Sequence, residues 1–127
     1  MEITTGYIEI EDVVKGDMLE VNFTVEHDLD LTGLALYAEM IKDPAKNANH
    51  EPVLKFSEID GSISKTITNE ELMTIRLFKY AEAMELVPVD KYLFSVVMGT
   101  APDFNDKQTI IRGKINVVVE ITKRPTV

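Results

Sequence analysis

In the stretch Leu19, Val21, Phe23, Val25 apolar residues recur at every second position, with Glu20, Asn22, Thr24 and Glu26 filling the gaps. A period of two sends the two sets to opposite faces of an extended strand, whereas a helix groups residues three and four apart. The next run obeys the same rule, with Leu34, Leu36, Ala38 and Met40 on one side and Ala35, Tyr37, Glu39 and Ile41 on the other. Its second face is only partly polar. Between the runs, His27-Asp28-Leu29-Asp30-Leu31-Thr32-Gly33 supplies turn chemistry: Asp side chains bond nearby backbone, and Gly accepts positive φ without steric cost. The expected connection is a β-arch or a hairpin.

The same reading extends along the chain. Ile8 and Ile10 alternate with Tyr7 and Glu9, a first strand or an extended arm. A polar loop bracketed by Pro44 and Pro52 precedes a short strand over Val53–Phe56. Asp60-Gly61 marks a turn, and Ile63 and Ile67 then alternate with Ser62, Ser64, Thr66 and Thr68, Lys65 breaking the apolar face. Asn69-Glu70-Glu71 has the look of a helix start, yet Met73, Ile75 and Leu77 alternate, and the β-branched Thr74 and Ile75 favour a strand over Leu72–Phe78. Lys79–Leu86 is rich in helix formers, which predicts about two turns ending before Pro88, with Tyr80, Ala83, Met84 and Val87 on the buried side. The near-continuous apolar run Lys91–Met98 reads as a central strand, and Gly99–Lys107 as a hairpin loop. In the last strand Ile111, Ile115, Val117, Val119 and Ile121 face one way and Arg112, Lys114, Asn116 and Glu120 the other, with a bulge or bend expected at Gly113.

Seven or eight short antiparallel strands separated by turn signals, with one short helix, are the pattern of an all-β, immunoglobulin-like β-sandwich. The Cys-Trp-Cys set of antibody domains is missing, since the chain has neither Cys nor Trp. The boundaries expected are a strand or arm over 1–15, the sandwich over 16–122 and a tail over 123–127. At 127 residues one core suffices, able to bury roughly two thirds of the surface of the unfolded chain. Without cysteine the fold stands on packing alone, with no disulfide or thiolate metal site.

Charge narrows the function. Thirteen Lys and Arg against 22 Asp and Glu give a net charge of -9, which repels phosphate backbones and anionic lipid, so no nucleic-acid or membrane partner is expected. No apolar run approaches the roughly 20 residues of a membrane helix, and the start MEITTGYIEIED lacks the basic and apolar regions of a secretory signal. This points to a protein made in the cytoplasm and used there or built there into something larger.

Catalytic chemistry is poorly represented. His27 lies among Glu26, Asp28 and Asp30, but neighbours on a strand or turn point apart, and His50, the second histidine, sits in the Pro-bracketed loop. Asp103, Asn105 and Asp106 have calcium-ligand chemistry without the twelve-residue loop, central Gly and terminal Glu that such a site requires. No phosphate loop, nucleophile elbow or histidine-carboxylate metal motif is present. The expectation is therefore no enzyme and no cofactor or metal. Aromatic residues are the better lead: Tyr7, Tyr37, Phe78 and Phe104 fall at outward or loop positions, where large exposed rings mark partner surfaces unless a loop, the helix or the other sheet covers them. With Ile8 and Ile10, whose segment can add to an open sheet edge of a neighbouring chain, they form the candidate partner-binding set.

One resemblance adds to this. Gly16-Asp17-Met18-Leu19-Glu20-Val21-Asn22-Phe23-Thr24-Val25 followed by Asp30-Leu31-Thr32-Gly33-Leu34 resembles the opening of small immunoglobulin-like proteins of tailed-phage particles, including the N-terminal domain of baseplate upper proteins. Asp90-Lys91-Tyr92-Leu93-Phe94-Ser95-Val96 resembles a later strand of that group, with Asp90 in place of its usual Gly, and Arg112-Gly113-Lys114-Ile115-Asn116-Val117 its closing strand. The loop over 42–52 and the helix near Tyr80 depart from the pattern. The resemblance implies a non-enzymatic virion structural protein, present in several copies and binding other capsid, neck or tail proteins; it implies no catalytic residues. Two readings of other classes stand beside it: a module for carbohydrate or cell-surface ligands, with Tyr37, Tyr80 or Phe104 stacking on a sugar, and a metal-dependent hydrolase.

Overall fold

The computed structural model describes residues 6–26, 33–42, 51–67 and 72–119, and the side chains at 6–9 and 11 lie outside that description. Among the described residues eight strands and one turn of helix follow in the order β1 (Gly6–Val14), β2 (Leu19–Glu26), β3 (Ala35–Lys42), β4 (Pro52–Ser57), β5 (Ile63–Ile67), β6 (Leu72–Lys79), α1 (Ala81–Met84), β7 (Asp90–Gly99) and β8 (Gln108–Val118). They form a five-stranded sheet, β1-β8-β7-β3-β4, and a three-stranded sheet, β2-β6-β5. β2 and β3 belong to different sheets, so they do not pair as a hairpin; residues 27–32, where the turn chemistry lies, are outside the described set. Leu72–Lys79 is a strand, as its alternation and β-branched residues predicted.

The inward halves of both sheets make one core. Leu19 and Phe23 of β2, Ile63 of β5, and Met73, Ile75 and Leu77 of β6 face Leu36, Ala38 and Met40 of β3, Leu54 and Phe56 of β4, Tyr92, Phe94, Val96 and Met98 of β7 and Ile111, Ile115 and Val117 of β8. Val21 and Val25 pack at its margin. The smaller sheet is wound β2-β6-β5 and the larger carries β3 and β4 beside β7 and β8, the division of strands in an immunoglobulin-like sandwich.

Two further features belong to that architecture. Tyr92, at the start of β7, is wholly buried, and its hydroxyl donates to the carbonyl of Pro88 at 2.5 Å, the contact known as a tyrosine corner. Burial, with Asp90 adding, pushes the Tyr92 phenol above its ordinary value, so it remains a donor. Two residues further on, Phe94 stacks on Phe23 of the opposite sheet, centroids 6.0 Å apart and planes 16° from parallel. In antibody domains a disulfide joins the sheets two residues after this tyrosine. Here a pair of rings occupies the place, and the two sheets meet there through buried aromatic area.

Several expectations need correction. The strands are not all antiparallel: β1 runs parallel to β8, Gly6 opposite Ile111 and Ile10 opposite Ile115, with an irregularity before Val13 opposite Val117. This first segment is thus a strand of the larger sheet, and it pairs within its own chain. The helix is one turn, not two, and Tyr80 is its N-cap, 73% exposed; Met84 and Val87 are the residues that enter the core. The bulge is not at Gly113, which pairs regularly with Phe94 and Ile8, but at Ile110, where the ladder steps from Val96–Ile111 to Val97–Thr109. That extra residue lets both Ile110 and Ile111 be buried. Past Val118 the strand ends, and Val119 lies in solvent instead of facing the core; Ile121 is outside the described residues.

Candidate functional site

Three surfaces bring together the residues with chemistry to offer. The first is the outer face of the larger sheet. Tyr37 of β3 points outward, and the 100–107 loop folds back so that Phe104 meets it edge-on at 4.7 Å. Phe104 holds φ 51, a left-handed conformation that a bulky residue adopts only when its surroundings fix it. The Phe104 N–H donates to Thr100 O at 3.0 Å and Phe104 O accepts from Lys107 N–H at 3.0 Å. The Asp106 carboxylate accepts from Thr100 N–H at 2.8 Å and from the Thr100 hydroxyl at 2.7 Å, and these bonds hold its pKa below the ordinary 3.8. Gly99 completes the fit, since a Cβ there would lie 3.0 Å from the Phe104 ring and 3.1 Å from Lys107 Cα. Val97, opposite Tyr37 in the ladder, is buried although it lies outside the main core. Tyr37, Phe104 and Val97 thus make a small satellite cluster under the loop. Both rings are half-buried by one another, so neither is a free platform.

Beside that cluster the same face hollows into a concavity of about 500 Å³ lined by Glu39, Ile41, Leu93, Ser95 and Arg112, with Phe94 and Gly113 as its floor. Glu39 is opposite Ser95, and Ser95 opposite Arg112, so an acid and a base flank a neutral residue in one row across three strands. Among the described residues no ion pair engages either charge.

The second surface lies on the smaller sheet. Arg76 of β6 reaches Glu20 of β2 at 3.3 Å and lies 4.5 Å above the Phe78 ring, and Tyr80 packs edge-on against Phe78 at 4.8 Å. Phe78 is half-buried by these partners. Asp60 in the β4–β5 turn accepts from the hydroxyl and backbone N–H of Ser62, which hold its pKa below 3.8.

The third surface is one end of the sandwich. Lys15, after β1, donates through Nζ to Glu85 O at 2.6 Å and Val87 O at 3.0 Å, and its own N–H donates to Val118 O at 2.9 Å. The 15–18 turn, the segment after α1 and the end of β8 are thereby tied together. From these segments Met18, Leu86, Val89 and Val119 emerge 54%, 83%, 46% and 64% exposed. Val89 and Val119 line one shallow depression with Asp90 and Asn116.

The candidates drawn from sequence therefore separate. Tyr37 and Phe104 come together; Phe78 belongs to the opposite sheet. Ile10 is partly buried and packs against the core. Tyr7 and Ile8 are placed by register opposite Arg112 and Gly113, their side chains outside the description. His27 and His50 also lie outside it. Asp103 and Asp106 each serve the loop: Asp103 accepts from Asn105, and Asp106 from Thr100. Among the described residues no three His, Asp or Glu side chains are grouped to hold a metal ion. The end surface escaped sequence reading because Val119 continues the strand alternation and Leu86 sits among helix formers.

The fold and these surfaces define an immunoglobulin-like sandwich. No protein-family model matches the sequence, and no curated protein matches it. Among solved structures the chain is similar to DIP-gamma IG1+IG2, at 12% identity and a TM-score of 0.37 over 92% of this chain and 47% of that one. It is similar to the endo-fucoidan hydrolase MfFcnA4 of glycoside hydrolase family 107 at 12% identity and a TM-score of 0.35, over 92% of this chain and 13% of that one. A structure of voltage-gated sodium channel (VGSC) beta subunits from work on cell-adhesive interactions gives 13% identity and a TM-score of 0.36, over 93% and 98%. The chain thus spans 47% and 13% of the first two of these. Likeness of this degree carries no functional argument, and the fold rests on the strand order and register.

Proposed function

We propose that this chain is a non-enzymatic interaction module that binds other proteins of a tailed-phage particle and is present there in several copies. The observation that carries the binding reading is the end surface: four large apolar side chains, Met18, Leu86, Val89 and Val119, stand in water around segments that Lys15 pins in place. Exposed apolar side chains on a rigid frame are what a protein partner covers. The acidic surface, net charge -9, keeps copies apart until such a contact forms. The virion assignment is supported by the resemblance of Gly16–Val25, Asp30–Leu34, Asp90–Val96 and Arg112–Val117 to small phage immunoglobulin-like proteins. On this reading the protein is made in the host cytoplasm and ends in the particle, at the capsid surface, neck or tail.

The test is mass spectrometry of gradient-purified particles made with the wild-type chain or with Leu86→Asp/Val119→Asp. Both positions are exposed, so the variant keeps the wild-type circular dichroism. The wild type is expected at a fixed ratio to the major capsid protein and the variant at least about tenfold lower. Absence of the wild type from particles, or equal incorporation of the folded variant, overturns the reading.

A further inference from the structure

We propose that the concavity on the outer face of the larger sheet binds a small carboxylate with an apolar body, its carboxylate at Arg112 and Ser95 and its body along Leu93 and Ile41. This goes beyond the binding reading above and uses a different surface. The sign of the ligand follows from two rows of the ladder. One row runs Lys55 on β4, Glu39 on β3, Ser95 on β7, Arg112 on β8 and Tyr7 on β1. The next runs Ile41, Leu93, Lys114 and Glu9. Glu39 therefore has a base beside it in Lys55, and the register puts an acid, Glu9, beside Lys114. Arg112 is the charge left over. Its row neighbours, Ser95 and Tyr7, are neutral, and Glu39 stands two strands away, about 10 Å at the usual strand spacing. Among the described residues no hydrogen bond or ion pair engages its guanidinium or the Ser95 hydroxyl beside it.

The shape agrees with that charge. The hollow holds about 500 Å³, the size of a small-molecule site, and such sites join an apolar lining to a few converging polar groups. Here the polar groups are two donors on adjacent strands. The guanidinium takes one carboxylate oxygen in a charge-assisted bond and the Ser95 hydroxyl takes the other. Leu93 and Ile41, both half-buried and opposite one another in the next row, flank the body, and Phe94 and Gly113 floor it. Glu39, the acid in the lining, sets the limit on charge: a second anionic group on the ligand would be turned toward it. An ammonium in place of the carboxylate would meet the guanidinium. The site thus selects one negative charge at one end of an apolar body.

The experiment is amide-shift titration of the full, isotope-labelled chain with hexanoate, hexylamine and acetate in turn. Hexanoate is expected to move the Leu93, Ser95 and Arg112 resonances saturably, with a Kd on the order of 1 mM for so small a ligand. Hexylamine leaves them in place. Acetate, which has the charge without the body, binds at least about tenfold more weakly. Arg112→Gln weakens hexanoate at least about tenfold and Ser95→Ala about fivefold. Glu39→Gln strengthens it about twofold by removing a negative charge about 10 Å away, whereas Lys55→Gln, a strand further out, changes it less. The spectra themselves report the folding of each exposed-site variant. Hexanoate without effect on these residues overturns the proposal, as does equal binding of hexylamine or acetate, or indifference to Arg112→Gln. Shifts at this face that follow protein concentration and not hexanoate would make a second copy the occupant and overturn it too. None of these results bears on particle incorporation through Leu86 and Val119, so the two readings fail separately.

Discussion

Replacing Phe94 with Ala asks whether stacked rings hold the two sheets together where antibody domains use a disulfide. Phe94 is 3% exposed and lies 6.0 Å, centroid to centroid, from Phe23. Truncating a buried phenylalanine costs about 3–5 kcal/mol, the transfer term plus the cavity that the sheets cannot close. A domain of this size has stability on the order of 10 kcal/mol, so roughly a third to a half is at stake. The melting temperature should fall by about 10–20 °C. Urea unfolding followed by far-ultraviolet circular dichroism reads the loss as a lowered midpoint with unchanged slope. Phe23→Ala should cost a similar amount, and the double variant less than the sum, with a coupling of about 0.5–1.5 kcal/mol for the ring pair. A Phe94→Ala loss under about 1 kcal/mol would refute the reasoning, because no fully packed ring leaves a buried sheet interface that cheaply. Full additivity would refute the pairing itself.

Other expectations follow from single contacts. Tyr92→Phe removes the hydroxyl that donates to Pro88 O and should cost about 1–2 kcal/mol by urea unfolding, whereas an unchanged midpoint would mean that the corner contributes nothing. Asp60 and Asp106 have carboxylates held below 3.8 by hydrogen bonds, so their contribution is present above that value and is lost as pH falls through the lower folded one. The difference in urea midpoint between wild type and Asp106→Asn should therefore shrink as pH falls from about 7 to about 3, and a pH-independent difference would contradict this.

How much of this could be read in advance varied with the kind of signal. Alternation located the strands because the period of side-chain direction is local: Leu36, Ala38 and Met40, and Met73, Ile75 and Leu77, are buried as their spacing required. Pairing is not local. Nothing in Gly6–Val14 says that its partner is β8, a hundred residues away, or that the two run parallel. The bulge at Ile110 was hidden because Ile110 and Ile111 are equally apolar, so an extra residue leaves no mark on the pattern. The helix formers around Tyr80 predict a buried helix face for it, and a helix of one turn has no such face to give. Phe23 and Phe94 read as ordinary core residues; the clue that could have singled out Phe94 is Tyr92 two positions before it. Of the candidate contacts, the outward placement of Tyr37 was legible from the alternation. Its closure by Phe104 depends on a loop conformation that Gly99, Thr100 and Asp106 impose together.

The account of the fold depends on which strands lie side by side, and one isotope-edited NOE spectrum reports that directly. The account predicts backbone contacts from Phe23 to Ile75 and none from β2 to β3, together with the parallel pattern linking Ile8 and Ile10 to Gly113 and Ile115. Contacts joining β2 to β3 as a hairpin, or β1 antiparallel to β8, would contradict it.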